Sequence, residues 1–329
     1  MDKHHFVSIG DIVTDAFIKL QVAEVKCDSN EEHCTISMPY GDKIPYESVE
    51  VIRAVGNCAN ASVAAARLGL NSSLIANLGD DQNGKECVAT LEANKVDVKY
   101  LTIHPGKETN YHYVLWFEHD RTILVKHQEY EYKLPDLHEP SWLYLTSLGE
   151  QTREYHKEIV TYLKANPAVS LAFQPGTFQI KLGKEELKEI YERTNIFFCN
   201  IEEAEKILNL STLGIEELLK RMYELGPKIV VITDGPKGAY AYNGENSWLI
   251  PAYPDQKPAF ERTGAGDAFA STTVSALALG KDLQTALLWG AVNSMSVVQQ
   301  VGAQKGLLTV EQIEVYLKTA SPDFKVSVI

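Results

Sequence analysis

The sequence predicts an α/β fold, with a mostly parallel sheet between helices and a small β-sheet lid attached to it. Three observations carry this. From residue 143 onward, strand and helix patterns alternate regularly, as in a chain that builds a parallel sheet between helices. Two earlier stretches, about 16–55 and 108–130, instead hold short alternating segments separated by polar turns. Near the last third, Gly264-Ala265-Gly266-Asp267 opens an apolar, small-residue helix. No internal repeat or low-complexity linker divides the 329 residues, so a single domain over 1–329 is expected, with the lid built from the two β excursions.

The elements follow in order. Residues 6–9 read as a buried strand ending at Gly10-Asp11-Ile12-Val13-Thr14-Asp15, two acids where open α/β sheets bind ligands. Residues 17–22, 35–38 and 46–51 are short lid strands, and 111–117 with 122–127 form a second β pair turning at 118–121. Alternation sets Tyr111 and Tyr113 on one face, where the rings suit stacking on a base or a sugar, or packing within the lid or against a second lid in a dimer. Residues 57–68 are an Ala-rich helix stopped by Gly69; 73–78 is a strand, followed by a helix reaching about residue 93. Beyond 143, strands are expected at 143–145, 170–173, 196–199 and 229–233, and helices at 152–165, 184–192, 202–208 and 215–225. Residues 239–242 and 247–250 form a hairpin around Asn243-Gly244. The last third is helical at 265–279, 283–301 and 309–318, the middle one apolar almost all round and therefore buried.

Composition narrows the function. A formal charge of −13, from 31 basic and 44 acidic residues with no basic block, disfavours nucleic acid or an anionic membrane as partner. No apolar run approaches the ~18 residues of a membrane span. Five cysteines without Cys-x-x-Cys spacing argue against a disulfide framework or a zinc site; reduced thiols and a cytoplasmic protein are expected.

The stretch Arg262-Thr263-Gly264-Ala265-Gly266-Asp267-Ala268-Phe269 carries the chemistry. The first turn of a helix leaves backbone N–H groups free and carries positive partial charge, which suits phosphate. Asp267 in that turn is placed to accept a proton, so anion hole and base stand together. The motif lacks the Lys-Ser/Thr of a P-loop, and Phe269 stands where a dinucleotide fingerprint needs its third glycine.

Taken together the motifs resemble the ribokinase-like (PfkB-type) kinases of carbohydrates and nucleosides. The resemblance rests on Gly10…Asp15, Gly56-Asn57-Cys58-Ala59-Asn60, Gly79-Asp80-Asp81…Gly84, Asn200…Glu203, Thr233-Asp234-Gly235-Pro236-Lys237-Gly238 and Thr263–Asp267, in that order. It implies a three-layer core with a β lid and ATP-dependent phosphorylation of a hydroxyl. Asp267 would be the general base, and Gly264, Ala265 and Gly266 the anion hole. Asp11, Asp15, Gly56, Asn60 and Tyr111 are the expected acceptor-side residues. Asn200, Thr233, Gly235, Lys237, Gly238 and Asn293 are expected on the nucleotide, with Glu203 organising Mg²⁺ through water. The resemblance further implies a homodimer through the lids. A neutral pentose or hexose is the expected acceptor, with an adenosine-like nucleoside as the alternative and a catalytically idle binding protein as the less favoured class.

Departures from the pattern are informative. Val55-Gly56 replaces Gly-Gly, and Phe173-Gln174-Pro175-Gly176-Thr177 lacks the acid and arginine of sugar-acid kinases. Glu261-Arg262 replaces an aspartate that commonly helps bind a monovalent cation, and Lys305 brings a charge into the partner loop. These argue against potassium activation, with Lys305 standing in for the ion.

Overall fold

The computed structural model describes residues 2–28, 34–118, 120–211, 213–255, 257 and 262–329. The chain begins with β1 (Asp2–Ile9), then β2 (Val13–Leu20), β3 (Glu24–Cys27), β4 (Cys34–Ser37) and β5 (Tyr46–Val55). Next come α1 (Asn57–Arg67), β6 (Asn71–Gly79), α2 (Gln82–Ala93), β7 (Leu101–His104), β8 (Tyr111–Phe117), β9 (Asp120–Lys126) and β10 (Pro140–Leu145). The regular alternation then gives α3 (Arg153–Ala165), β11 (Ser170–Phe173), α4 (Thr177–Leu182), α5 (Lys188–Arg193), β12 (Ile196–Asn200), α6 (Ile201–Leu208), α7 (Ile215–Tyr223) and β13 (Val230–Thr233). A hairpin of β14 (Ala239–Tyr242) and β15 (Ser247–Ile250) precedes α8 (Ala265–Ala278), α9 (Leu283–Val297), α10 (Val310–Thr319) and β16 (Ser327–Val328).

The main sheet runs β16-β15-β14-β13-β12-β11-β10-β1-β6-β7, parallel from β13 to β7 and antiparallel at the β14–β16 edge. Its central strands are apolar on both faces, as a sheet covered on both sides requires. On one face Val7, Ile9, Leu143, Leu145, Leu171 and Phe173 pack with α3 and α5 through Ile159, Leu163 and Ile190. On the other, Phe6, Tyr144, Ala172 and Phe198 meet Phe269 and Val274 of α8 and Leu287 of α9. The alternation of each strand therefore decides which helix layer it contacts.

The lid is a separate sheet in the order β5-β2-β8-β9, with β2 parallel to β8. Its connections to the core are pinned by Asp81, the N-cap of α2, which accepts from the backbone of Gly84 and from both Thr109 donors. Gly79 and Gly84 have no room for a side chain there: a Cβ on either would lie 2.2 Å from a backbone oxygen. The Gly79…Gly84 motif thus joins lid to core.

Several expectations are corrected. The helix anticipated over 184–192 is shortened to α5, which begins at Lys188, and α4, which lacked a sequence signal, precedes it and ends at Gly183, whose φ is 93°. The apolar middle helix of the last third stops at Val297, short of residue 301. β3, β7 and β16 lacked a sequence signal. The expectation of five reduced thiols is also overturned. Antiparallel pairing of β3 and β4 sets Cys27 opposite Cys34, and the two form a disulfide, while Cys58, Cys87 and Cys199 are free and buried. Part of the expected turn at 118–121 (His119) and the Glu261 substitution lie outside the described residues.

Denatured without reductant, the chain should titrate three free thiols, rising to five after reduction. Five thiols before reduction would remove the bridge.

Candidate active site

Three strands of the main sheet end at the same place. β11 leads directly into Gln174, β12 ends at Asn200 and β13 at Thr233, and β1 delivers Asp11 beside them. Over these ends lies the N-terminus of α8. Gly264 caps the helix at φ 77°, and a Cβ there would lie 2.2 Å from Ala303 Cβ, so both conformation and space demand glycine. A Cβ on Gly266 would meet only the Gln174 amide at 4.0 Å, which leaves the space above the first turn open. An anion held there faces N–H groups that the helix itself does not use.

Asp267 sits inside that turn, part-buried. Asn60 Nδ2 donates to its Oδ2 at 2.8 Å, and Gln174 Nε2 to its Oδ1 at 3.2 Å. Burial pushes the Asp267 carboxyl up, and the two amides oppose the shift. Asn60, expected on the acceptor side, is thus a direct partner of the Asp267 carboxylate, and its own Oδ1 accepts from Gln304 Nε2 at 3.0 Å.

On the lid side, Asp11 is 9% exposed; the Tyr132 hydroxyl donates to its Oδ1 at 2.8 Å. Its other oxygen has no hydrogen-bond partner, and the same holds for Asp15 Oδ1 and His112 Nε2. His112 Nδ1 lies 3.3 Å from Asp15 Oδ1, and the His112 ring meets His127 edge-on, which in turn meets Phe178. The register pairs Asp15 with His112 and Thr14 with Tyr111. Tyr111 thus lies on the lid face opposite Asp15, stacked with Tyr113, which corrects its expected place on the acceptor. Gly56 acts through backbone: its φ of 98° starts α1, and a Cβ would lie 2.7 Å from the Asp11 carbonyl. Left-handed geometry falls on Ala54 and Gly56, so Val55 keeps ordinary backbone and its replacement of a glycine strains nothing.

Beyond the α8 turn opens a cleft of about 660 Å³, within the range of small-molecule sites. Asn200, Thr233, Gly235 and Gly238 line it, together with Ala265, Gly266 and the exposed Arg262. Lys237 instead pairs with Asp234 at 3.3 Å on the surface. Asn293 is buried, its amide engaged by Thr272 and by the Leu308 N–H, and residues beside it on α9, Ala291, Ser294 and Met295, reach the cleft in its stead. Glu203 closes a capping box with Asn200, at 2.8 and 2.9 Å. Burial raises its carboxyl, with the charge of Asp267 adding to the effect, so the two acids share one field. Lys305 is exposed between the buried Gln304 and Gly306, which sets its ammonium in solvent. The expectation that it replaces a cation inside the loop loses its basis.

The sequence matches the pfkB family carbohydrate kinase profile over residues 23–310. The chain belongs to the pfkB family. It is accordingly a phosphotransferase acting on a hydroxyl acceptor. Among its relatives, a nucleoside kinase of Methanocaldococcus jannaschii is 28% identical over 265 residues, 78% of this chain and 83% of that protein. A ribokinase of Bacillus subtilis is 26% identical over 264 residues, 79% and 86% of the two chains. Among solved structures, Arabidopsis thaliana ribokinase complexed with ribose and ATP superposes with a TM-score of 0.78 at 18% identity, covering 96% of this chain and 99% of that one. This pfkB kinase shares their core and lid.

Sequence reasoning missed His112, His127, Tyr132, Gln174 and Gln304. Only the pairing of β2 with β8 assigns His112 to the inner face, and the amides carry no motif.

Burial, opposed by the Tyr132 hydrogen bond, raises the Asp11 carboxyl from 3.8 to about 6. The native state then holds a proton that the unfolded chain releases, so the stability from protonation is full below about pH 4 and lost as pH rises through about 6. Asp11→Asn should therefore unfold at higher urea than wild type at pH 7 while raising KM for the acceptor. A variant less stable at pH 7 would contradict this.

Proposed function

We propose that the protein transfers the terminal phosphoryl group of ATP to a hydroxyl of a neutral pentose or hexose, the whole chain acting as one kinase domain. The observation that carries this is the position of Asp267 between the cleft and the lid-side acids. Gly266, its neighbour, lines the 660 Å³ cleft, and Asn60, its amide partner, stands on α1, whose Cys58 thiol donates to the Asp11 carbonyl. ATP fits the cleft, with its phosphates against Gly264, Ala265 and Gly266 and its nucleoside along Thr233, Gly235 and Gly238. Arg262 has no ion-pair partner among the described residues and brings a positive charge to the same cleft.

The acceptor fits beside the lid-side acids. Asp11 Oδ2, Asp15 Oδ1 and His112 Nε2 are buried polar atoms that need partners, and sugar hydroxyls supply them. No lysine or arginine among the described residues pairs with Asp11 or Asp15, and Arg53 nearby is paired with Glu86. Two carboxylates without such a partner repel a phosphorylated or acidic acceptor. Asp267 takes the proton of the attacking hydroxyl, while backbone N–H groups stabilise the transferring group, usually the largest contribution.

Mg²⁺ fits this arrangement. Among the described residues no three metal-ligating side chains cluster, and Mg²⁺ bound with nucleotides keeps several waters and takes one or two carboxylates plus phosphates. Glu203 would hold it through water. When bound, the ion neutralises phosphate charge.

A nucleoside acceptor is the second reading. The rings of His112, His127 and Phe178 form a wall beside the carboxylates on which a base can rest. The nucleoside kinase relative supports the same reading. The outer lid face presents Val49, Tyr113 and Leu124, each about half exposed, and a second copy of the chain is the proposed cover. ATP as donor favours the cytoplasm; the Cys27–Cys34 bridge is the feature at odds with a reducing compartment.

ADP release should appear with Mg-ATP and one of ribose, fructose, adenosine, cytidine or inosine. Asp267→Asn should lower turnover by about 10²–10⁴-fold with ADP affinity nearly unchanged. Turnover near wild type would remove Asp267 as base, and no turnover on any acceptor would favour an idle binding protein.

A further inference from the structure

Each amide that touches Asp267 is itself fixed from behind. Tyr144, fully buried in the core, donates its hydroxyl to Gln174 Oε1, and Gln174 Nε2 donates onward to Asp267 Oδ1 at 3.2 Å. On the other side Gln304 Nε2 donates to the Ala54 carbonyl at 2.7 Å and to Asn60 Oδ1 at 3.0 Å, and Asn60 donates to Asp267 Oδ2 at 2.8 Å. Flipping the Gln174 amide would set its oxygen against a carboxylate oxygen and leave the tyrosine proton without an acceptor. Both chains therefore run one way and end in donors, an arrangement that favours the anion over the protonated acid.

We infer that Gln174, held by Tyr144, is a positioning residue that keeps the Asp267 carboxylate ionised and turned toward the acceptor hydroxyl. The inference rests on Asp267 as the base. It gives a role to the strand end that lacks the acid and arginine of sugar-acid kinases: a neutral donor there steadies the base without adding charge. An acid in its place would repel Asp267, and a cation would compete with the acceptor hydroxyl for it. The other titratable groups that interact with Asp267 are Cys58 from α1, Tyr144 from β10 and Glu203 from α6. Both the Cys58 thiol and the Tyr144 hydroxyl are pushed up by burial and stay neutral at pH 7, and Glu203 is the one carboxyl of the three, itself pushed up by burial.

The test is the pH profile of kcat/KM for the full-length protein with Mg-ATP and whichever of ribose, fructose, adenosine, cytidine or inosine turns over fastest. In Gln174→Leu the acid limb should move up by about one pH unit, the loss of one hydrogen bond to a charged group. That lowers kcat/KM about tenfold on the acid side and much less on the alkaline side, with KM for ATP unchanged. Tyr144→Phe should move the limb in the same direction by less, and it carries the test should Gln174→Leu fail to fold. A loss equal at every pH, with the acid limb unmoved, would overturn the inference and make Gln174 a filler. An active Asp267→Asn would instead overturn the base assignment beneath it, so the two failures are distinguishable.

Discussion

A carboxylate that must stay ionised while largely surrounded by protein is the constraint on which the rest of this structure depends. Removal from water favours the neutral acid, and here Asn60 and Gln174 counter that tendency. The helix α8 contributes the positive end of its dipole to the same point. Everything that brings these groups together, from the strand order to the glycines of the α8 turn, serves a charge that water no longer supports.

That turn is also where lid and core meet. Gly264 lies against Ala303, and Gly302 lies so close to Ile52 of β5 that a Cβ would come within 2.4 Å of it. The same loop sends Gln304 to the Ala54 carbonyl, and Arg67 donates to the carbonyls of Gln304 and Leu307 at 2.8 and 2.9 Å. The lid strand β5 and the helices α1 and α8 are thereby joined through one short segment, and close-packed contacts of this kind transmit displacement.

Much of this was legible in the sequence. Continuous apolar runs located β1, β10, β11, β12 and β13, and the Gly264–Asp267 motif located the glycine-rich first turn of α8 and the carboxylate inside it. Composition and spacing were weaker where tertiary pairing decides. Tyr111 was placed on the acceptor because alternation sets Tyr111 and Tyr113 on one face, but only the register with β2 tells which face looks inward. His112, one residue along, shares the face of Asp15. The amides of Gln174 and Gln304 were invisible for a different reason: their partners are 93 and 244 residues away, beyond any local pattern. Asn293 reads as a polar residue on an apolar helix, and the fold uses it to tie α9 to α8 and to the Leu308 backbone.

The direct measurement is the ionisation of Asp267 itself. Carboxyl-¹³C aspartate labelling, with Asp267→Asn to assign the resonance, follows its titration by NMR. The account predicts an ionised carboxylate at pH 7, with a midpoint above that of a solvent-exposed aspartate. A carboxyl still protonated at pH 7 would contradict it, because the two amides would then be failing to hold the charge that phosphoryl transfer needs.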